Sequence, residues 1–120
     1  KKETSVWCLA NLDDVKLTMS NSSFPAANIH YVEGKVEDTI PATVPSGAIA
    51  LLRLDTDWYT STKHELIHLY PSLSESGVMI IDDYGHWEGC RKAVDEYFAE
   101  QKIAVLLQRI DYTGRLAIKK

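Results

Sequence analysis

The sequence predicts an open α/β sheet, and three observations support this fold class. Two short and almost continuous apolar runs, residues 49–54 and 78–81, are typical of strands buried on both faces of a parallel sheet. A segment with helical character, residues 61–69, lies between them, and an amphipathic helix is predicted at residues 88–100. Helices that alternate with buried strands favour an α/β architecture with right-handed crossovers.

The composition of the 120-residue chain is that of a globular protein, with 45% hydrophobic and 25% charged residues. This length favours one domain, residues 1–120, around a single core. Its 13 Lys+Arg against 17 Asp+Glu residues argue against a nucleic-acid partner. No apolar run approaches the roughly 18 residues that cross a bilayer, so no membrane partner is expected. Two cysteines, Cys8 and Cys90, lack metal-ligand spacing and suggest reduced thiols in a cytoplasmic protein.

The elements before the first buried run are a helix, a short strand and a loop. Apolar residues three or four positions apart predict a helix over residues 7–19, and Pro25 marks its end. Residues 29–32 are predicted to form a short strand that Gly34 closes.

The elements after the second buried run are a helix and a hairpin. The helix at residues 88–100 carries apolar residues at positions i, i+4, i+7 and i+8, namely Cys90, Val94, Tyr97 and Phe98. Residues 104–110 and 115–118 are predicted to form an antiparallel hairpin, because a turn sequence that includes Gly114 separates them.

Carboxylates follow both buried runs. Asp55 and Asp57 come after the first, and Asp82 and Asp83 come after the second. Ligands of open α/β sheets bind beyond the carboxyl ends of the strands, so these acids converge if the strands are neighbours. Adjacent carboxylates disfavour each other's ionisation, and a divalent cation with oxygen ligands, preferably Mg2+, relieves this. The alternative is that the acids cap the helices that follow, since Asp is a favoured N-cap residue.

Residues 64–68 match the outline of the zinc-protease motif HExxH, with His64, Glu65 and His68 at the required positions. The motif also requires a cleft that both histidines line and a third metal ligand. Because the pattern fixes few positions, chance alone easily produces it. We interpret the segment as an ordinary crossover helix with Leu66 and Leu69 on its buried side.

Four further side chains lie near the acids in the sequence. Arg53 interrupts the first apolar run and is expected to pair with a nearby carboxylate. Trp58, Tyr59 and Trp87 are candidates for stacking on an adenine or a sugar, and packing is the alternative role.

The sequence around the acids resembles the macrocin O-methyltransferase (TylF-like) family. The similarity begins at about Val6 and is carried by five segments, residues 34–41, 49–62, 80–87, 90–95 and 109–114. The resemblance implies an S-adenosylmethionine- and Mg2+-dependent O-methyltransferase of the class I Rossmann-like fold. Its partner would be a small-molecule acceptor, a sugar or another compound with vicinal hydroxyls.

The family pattern implies that Asp55, Asp82 and Asp83 are metal ligands and that Asp55 is also a candidate catalytic general base. Asp57 matches the second acid of the first motif, and the resemblance assigns it no role. His86 follows the second acid pair as a candidate proton carrier, with a hydrogen-bonded loop residue as the alternative.

The glycine-rich cofactor loop of the family has no counterpart in these 120 residues. We therefore expect the C-terminal portion of a Rossmann-like methyltransferase domain, without its first strands, in which a mostly parallel sheet ends in an antiparallel hairpin. Cofactor-binding residues stay unassigned, and activity of the truncated chain alone is in doubt. One alternative is a metal-dependent glycosyltransferase, in which Asp55 and Asp57 form a DxD motif. Another is a non-catalytic chain that forms homo-oligomers through an exposed sheet edge.

Overall fold

The computed structural model describes residues 10–44 and 46–120, which fall into two compact units that divide after Glu33. In the first unit, α1 (Leu12–Ser20) begins where the side chain of Asn11 accepts a 2.8 Å hydrogen bond from the backbone N–H of Asp14. The helix predicted at residues 7–19 is therefore confirmed from Leu12 onward. Its earlier part, like Cys8, lies outside the described residues.

The strand predicted at residues 29–32 is wrong. A 3-10 turn, Ala26–Asn28, precedes this segment, and the backbone N–H of Ile29 donates to the carbonyl of Ala26 at 3.1 Å. Residues 30–33 have no regular structure and pair with no strand in the described ranges. A short apolar segment forms a strand only when a neighbouring strand satisfies its backbone groups.

The second unit contains one four-stranded mixed sheet in the order β1-β2-β4-β3. Strands β1 and β2 are parallel, whereas β4 is antiparallel to both β2 and β3. The elements are, in chain order, α2 (Val36–Thr39), β1 (Ile49–Leu54), α3 (Tyr59–Leu69), β2 (Leu73–Ile81), α4 (Glu88–Gln101), β3 (Gln108–Arg109) and β4 (Arg115–Ile118). The predicted α/β class, both crossover helices and the C-terminal hairpin are confirmed.

The structure differs from the predicted elements in one short helix and in the bounds of two strands. The short helix α2 has no counterpart in the prediction, and β2 begins at Leu73 rather than at residue 78. Only Gln108 and Arg109 of the predicted strand 104–110 form ladder pairs with β4. Among the described residues, no helix combines the length and the apolar character needed to cross a bilayer.

The core lies between one face of the sheet and the helices α3 and α4. Leu54 of β1 and Ile81 of β2 are almost fully buried there, together with Leu66 of α3 and Val94 of α4. On the other face of β1, Leu51 is 60% exposed. The expectation that residues 49–54 are buried on both faces is therefore wrong for the described chain. An apolar run does not reveal whether a second layer of helices is present, and here α3 and α4 pack on the same face.

Candidate metal centre at the ends of β1 and β2

The parallel strands β1 and β2 end side by side. Leu54 is paired with Ile81 in the ladder, and the backbone N–H of Asp82 donates to the carbonyl of Leu54 at 2.9 Å. Asp55 and Asp82 follow these two strands directly, so they emerge at the same edge of the sheet. The predicted convergence of the two acidic segments is confirmed.

The carboxylates of Asp55, Asp82 and Asp83 form one cluster. Each contributes an oxygen atom, and these atoms lie within 4.8 Å of one another. Asp55 is exposed, and Asp82 and Asp83 are half-buried. Three carboxylate oxygens fit a hard divalent cation such as Mg2+, which prefers oxygen ligands. Mg2+ keeps several waters when bound, so the exposed side of the cluster suits it.

Arg53 supplies the positive charge nearest to this cluster. Its Nη2 atom lies 2.9 Å from Oδ1 of Asp82 and 3.2 Å from Oδ2 of Asp55. The expectation that Arg53 pairs with a nearby carboxylate is confirmed. The hydrogen bond from Arg53 holds the pKa of Asp82 below its ordinary value, whereas burial and the neighbouring Asp82 raise the pKa of Asp55.

Asp83 has the most strongly raised pKa of the three clustered carboxylates. Burial, followed by repulsion from Asp57, raises the pKa of Asp83 to about 7. The structure thus places Asp57, to which the resemblance assigned no role, beside the acid pair that follows β2. The sequence signal for this location was that Asp57, like Asp55, follows the first apolar run. The cluster has more negative charge than Arg53 alone compensates, which is the condition that a bound cation relieves.

Helix capping does not account for these acids. The N-cap residues of α3 and α4 are Trp58 and Trp87, and neither side chain makes a capping hydrogen bond. The capping alternative is therefore wrong for both helices.

The zinc-protease interpretation of residues 64–68 is not supported either. Nε2 of His64 lies 2.8 Å from the carbonyl oxygen of Ile40, and Glu65 is buried with a hydrogen bond from Thr56 at 2.7 Å. Within residues 10–44 and 46–120, His64 and His68 belong to no group of three metal-ligating side chains. Leu66 and Leu69 are buried, as predicted for a crossover helix.

Exposed aromatic side chains flank the acids. The rings of Trp58 and Trp87 lie 5.7 Å apart at 48°, and the ring of His86 packs edge-on to Trp87 at 4.8 Å. Gly89 permits this arrangement, because a Cβ atom there would lie 2.9 Å from the backbone nitrogen of Tyr59. The close approach brings the start of α4, and with it Trp87, against the turn that carries Asp57 and Trp58.

Comparisons with known proteins agree with this architecture. The family model described as macrocin O-methyltransferase (TylF) matches residues 3–119. The demethyldecarbamoylnovobiocin O-methyltransferase of Streptomyces niveus is 38% identical over 102 residues, which are 85% of this chain and 38% of that protein. The 8-demethyl-8-(2,3-dimethoxy-alpha-L-rhamnosyl)-tetracenomycin-C 4'-O-methyltransferase of Streptomyces olivaceus is 36% identical over 86% of this chain and 39% of its own length.

The solved structure of the O-methyltransferase NovP superposes with a TM-score of 0.86 at 35% identity, covering 92% of this chain and 46% of NovP. The chain thus spans less than half of each of these relatives. The matches favour the O-methyltransferase resemblance over the glycosyltransferase alternative. Because the family model covers nearly the entire chain, the protein belongs to the macrocin O-methyltransferase (TylF) family.

Proposed function

We propose that this chain supplies the metal-binding and acceptor-binding part of a Mg2+- and S-adenosylmethionine-dependent O-methyltransferase that modifies a sugar hydroxyl of a natural product. The observation that carries the proposal is the meeting of three carboxylates within 4.8 Å at the ends of two parallel strands, in a chain of this family. Open α/β sheets bind their ligands at this edge.

The acceptor class follows from the relatives. The Streptomyces olivaceus relative is named for a tetracenomycin that carries a rhamnosyl group, and its name assigns the methyl group to a 4'-oxygen. We propose the same general class for this chain, a hydroxyl of a glycosylated small molecule. Neighbouring hydroxyls on a sugar ring offer two oxygen atoms side by side. They could occupy coordination positions of the cation that the carboxylates leave open.

When bound, Mg2+ would acidify and orient the acceptor hydroxyl, and S-adenosylmethionine would supply the methyl group. The chain's own residues would divide the remaining work. Asp55, Asp82 and Asp83 would hold the cation through their carboxylate oxygens. Asp55 would also accept the proton of the acceptor hydroxyl, since its side chain is 56% exposed and open to an incoming acceptor.

The first experiment is a calorimetric titration with Mg2+, with and without S-adenosylhomocysteine. We expect the wild-type protein to bind Mg2+ and Asp82→Asn to lose this binding. Glu75→Gln is the matched control, because it also converts an acid to an amide. Glu75 is exposed and lies near the beginning of β2, whereas Asp82 follows the end of this strand. Failure of the wild-type protein to bind Mg2+ would contradict the proposal. Equal binding by Asp82→Asn would show that the cation is held elsewhere.

A further inference from the structure

A buried polar cluster lies beneath the acids and joins the turn after β1 to helix α3. Glu65 is 7% exposed and Thr62 is fully buried. Oγ1 of Thr56 donates a 2.7 Å hydrogen bond to Oε2 of Glu65 and lies 3.0 Å from Oγ1 of Thr62. The hydroxyl of Thr62 also donates to the carbonyl of Thr56 at 3.1 Å. The side chain and the backbone of Thr56 are therefore both bound to α3.

The hydrogen-bond directions in this cluster are determined by the number of protons. A threonine hydroxyl has one hydrogen atom, and that of Thr56 is given to Glu65. The hydroxyl of Thr62 also has one hydrogen atom, which the carbonyl oxygen and the Oγ1 atom of Thr56 share as acceptors. This arrangement fixes one rotamer of Thr56 and needs a hydrogen-bond acceptor at position 65.

A carboxylate is an expensive choice for this buried position. Burial raises the pKa of Glu65, and the hydrogen bond from Thr56 lowers it. Packing of α3 does not require this carboxylate, because Leu66 and Leu69 already bury the apolar side of the helix. A role beyond packing is therefore indicated, and the contact that Glu65 makes is with the residue between Asp55 and Asp57.

We propose that Glu65 and Thr56 are positioning residues of the metal centre, which hold the turn after β1 so that Asp55 and Asp57 face Asp82 and Asp83. This inference rests on the proposed function. Asp55 and Asp57 are the immediate neighbours of Thr56 in the chain, so a rotation of the peptide units at Thr56 moves both carboxylates. Groups that orient metal ligands typically contribute about 10–100-fold to metal affinity.

The test uses Tb3+, a hard cation that prefers oxygen ligands and emits when a nearby tryptophan is excited. Trp58 and Trp87 adjoin the acids and serve as sensitisers. We expect Thr56→Val, which keeps the side-chain shape but removes the hydroxyl, to weaken Tb3+ binding about 10-fold. Thr56→Ser restores the hydroxyl and should bind within about 2-fold of the wild-type protein. Competition with Mg2+ gives the corresponding affinities for the smaller cation.

Thermal unfolding of each variant without metal separates positioning from folding. A purely structural role predicts a lower melting temperature for Thr56→Val with unchanged Tb3+ affinity, and that result would overturn the inference while the proposed function stands. If Thr56→Val does not fold, Glu65→Leu replaces it, because Leu leaves Thr56 without an acceptor at this position, and the expected loss is at least about 3-fold in affinity. Wild-type affinity in Glu65→Leu would equally overturn the inference. Undiminished binding by Asp82→Asn would instead overturn the proposed function and this inference together.

Discussion

The guanidinium of Arg53 donates a 2.9 Å hydrogen bond to Asp82 across the parallel β1–β2 pair. The same nitrogen lies 3.2 Å from Asp55, so one side chain on the exposed face of an apolar strand joins two of the three clustered carboxylates. Arg53 therefore partly compensates the negative charge of the cluster, and under the proposed function it would compete with the cation for the same oxygen atoms.

We expect Arg53→Met to have opposite effects on folding and on metal binding. Loss of the guanidinium should lower the free energy of unfolding of the metal-free protein by about 0.5–1 kcal/mol, since both partners are partly exposed. Removal of the competing charge should raise the affinity for Mg2+ by about 3–10-fold. Urea unfolding in EDTA and calorimetry measure the two quantities.

The control for this prediction is Arg109→Met, which removes an exposed positive charge whose guanidinium bonds the carbonyl of Asp111. It should leave Mg2+ affinity unchanged. A decrease in Mg2+ affinity in Arg53→Met would contradict competition and would indicate that Arg53 mainly aligns Asp55 and Asp82 for the cation.

The raised pKa of Asp83 predicts how stability depends on pH in the metal-free protein. Its pKa is about 7 in the folded chain, against an ordinary value of 3.8. Between these two values the folded state holds a proton that the unfolded state has released. The contribution of Asp83 to stability is therefore lost progressively as pH rises from about 4 to about 7, and it stays lost above that range.

We therefore expect Asp83→Asn to be more stable than the wild-type protein at pH 8, by about 1–2 kcal/mol after allowance for solvent screening. At pH 4 the two should be nearly equal. Asp111→Asn should have the opposite sign at pH 8, because the hydrogen bond from the backbone N–H of Gly114 lowers the pKa of Asp111. Urea unfolding in EDTA at both pH values checks the two signs, and equal stability of Asp83→Asn and wild type at pH 8 would contradict the assignment.

The positions of Asp55, Asp82 and Asp83 could be predicted from the sequence, because each acid directly follows an apolar run and parallel strands end at a common edge. The link between Glu65 and Thr56 could not. It depends on the rotation of α3 about its axis, which places Glu65 under the turn rather than in solvent. The HExxH outline drew attention to the same glutamate for a different chemistry.

The strand predicted at residues 29–32 shows a second limit. The apolar character of residues 49–54 and 78–81 correctly predicted strands, because β1 and β2 pair with each other. The segment at 29–32 has similar character but no partner among the described residues. Pairing is a property of two segments, so one segment alone does not predict it.

Lys119 stabilises the connection between α3 and β2. Its Nζ atom donates to the carbonyls of Tyr70, Pro71 and Leu73 at 3.1, 3.2 and 2.7 Å. It also lies 4.9 Å from the centre of the Tyr70 ring.

We expect Lys119→Met to lower the free energy of unfolding by about 1–2 kcal/mol, since charged donors contribute more than neutral ones. Lys120→Met removes the adjacent, exposed charge and should change stability by less than about 0.5 kcal/mol. Equal effects in urea unfolding would contradict a specific role for Lys119.

Trp58 is the side chain that we expect to contact the acceptor. It is 65% exposed although it is among the largest apolar residues of the chain, and Trp87 supports one side of its ring at 5.7 Å. The ring follows Asp57 directly, so an acceptor hydroxyl near the acids brings its sugar ring close to the indole. Aromatic rings present a flat apolar surface to the C–H face of a sugar, and few polar groups then determine its orientation.

Under the proposed function, Trp58→Ala should raise the KM for a glycosylated acceptor about 10-fold with little change in kcat, because uniform binding is lost and no group of the reaction is removed. Mg2+ affinity should stay at the wild-type value. Trp58→Phe keeps an aromatic surface and should recover most of the loss. Steady-state methyl transfer is measured in the enzyme of which we propose this chain to be a part, and Mg2+ calorimetry on the same variants tells an effect on the acceptor from an effect on the metal centre. A lower kcat with unchanged KM would contradict an acceptor contact, since Trp58 would then act on the acids or on the methyl donor rather than on the sugar.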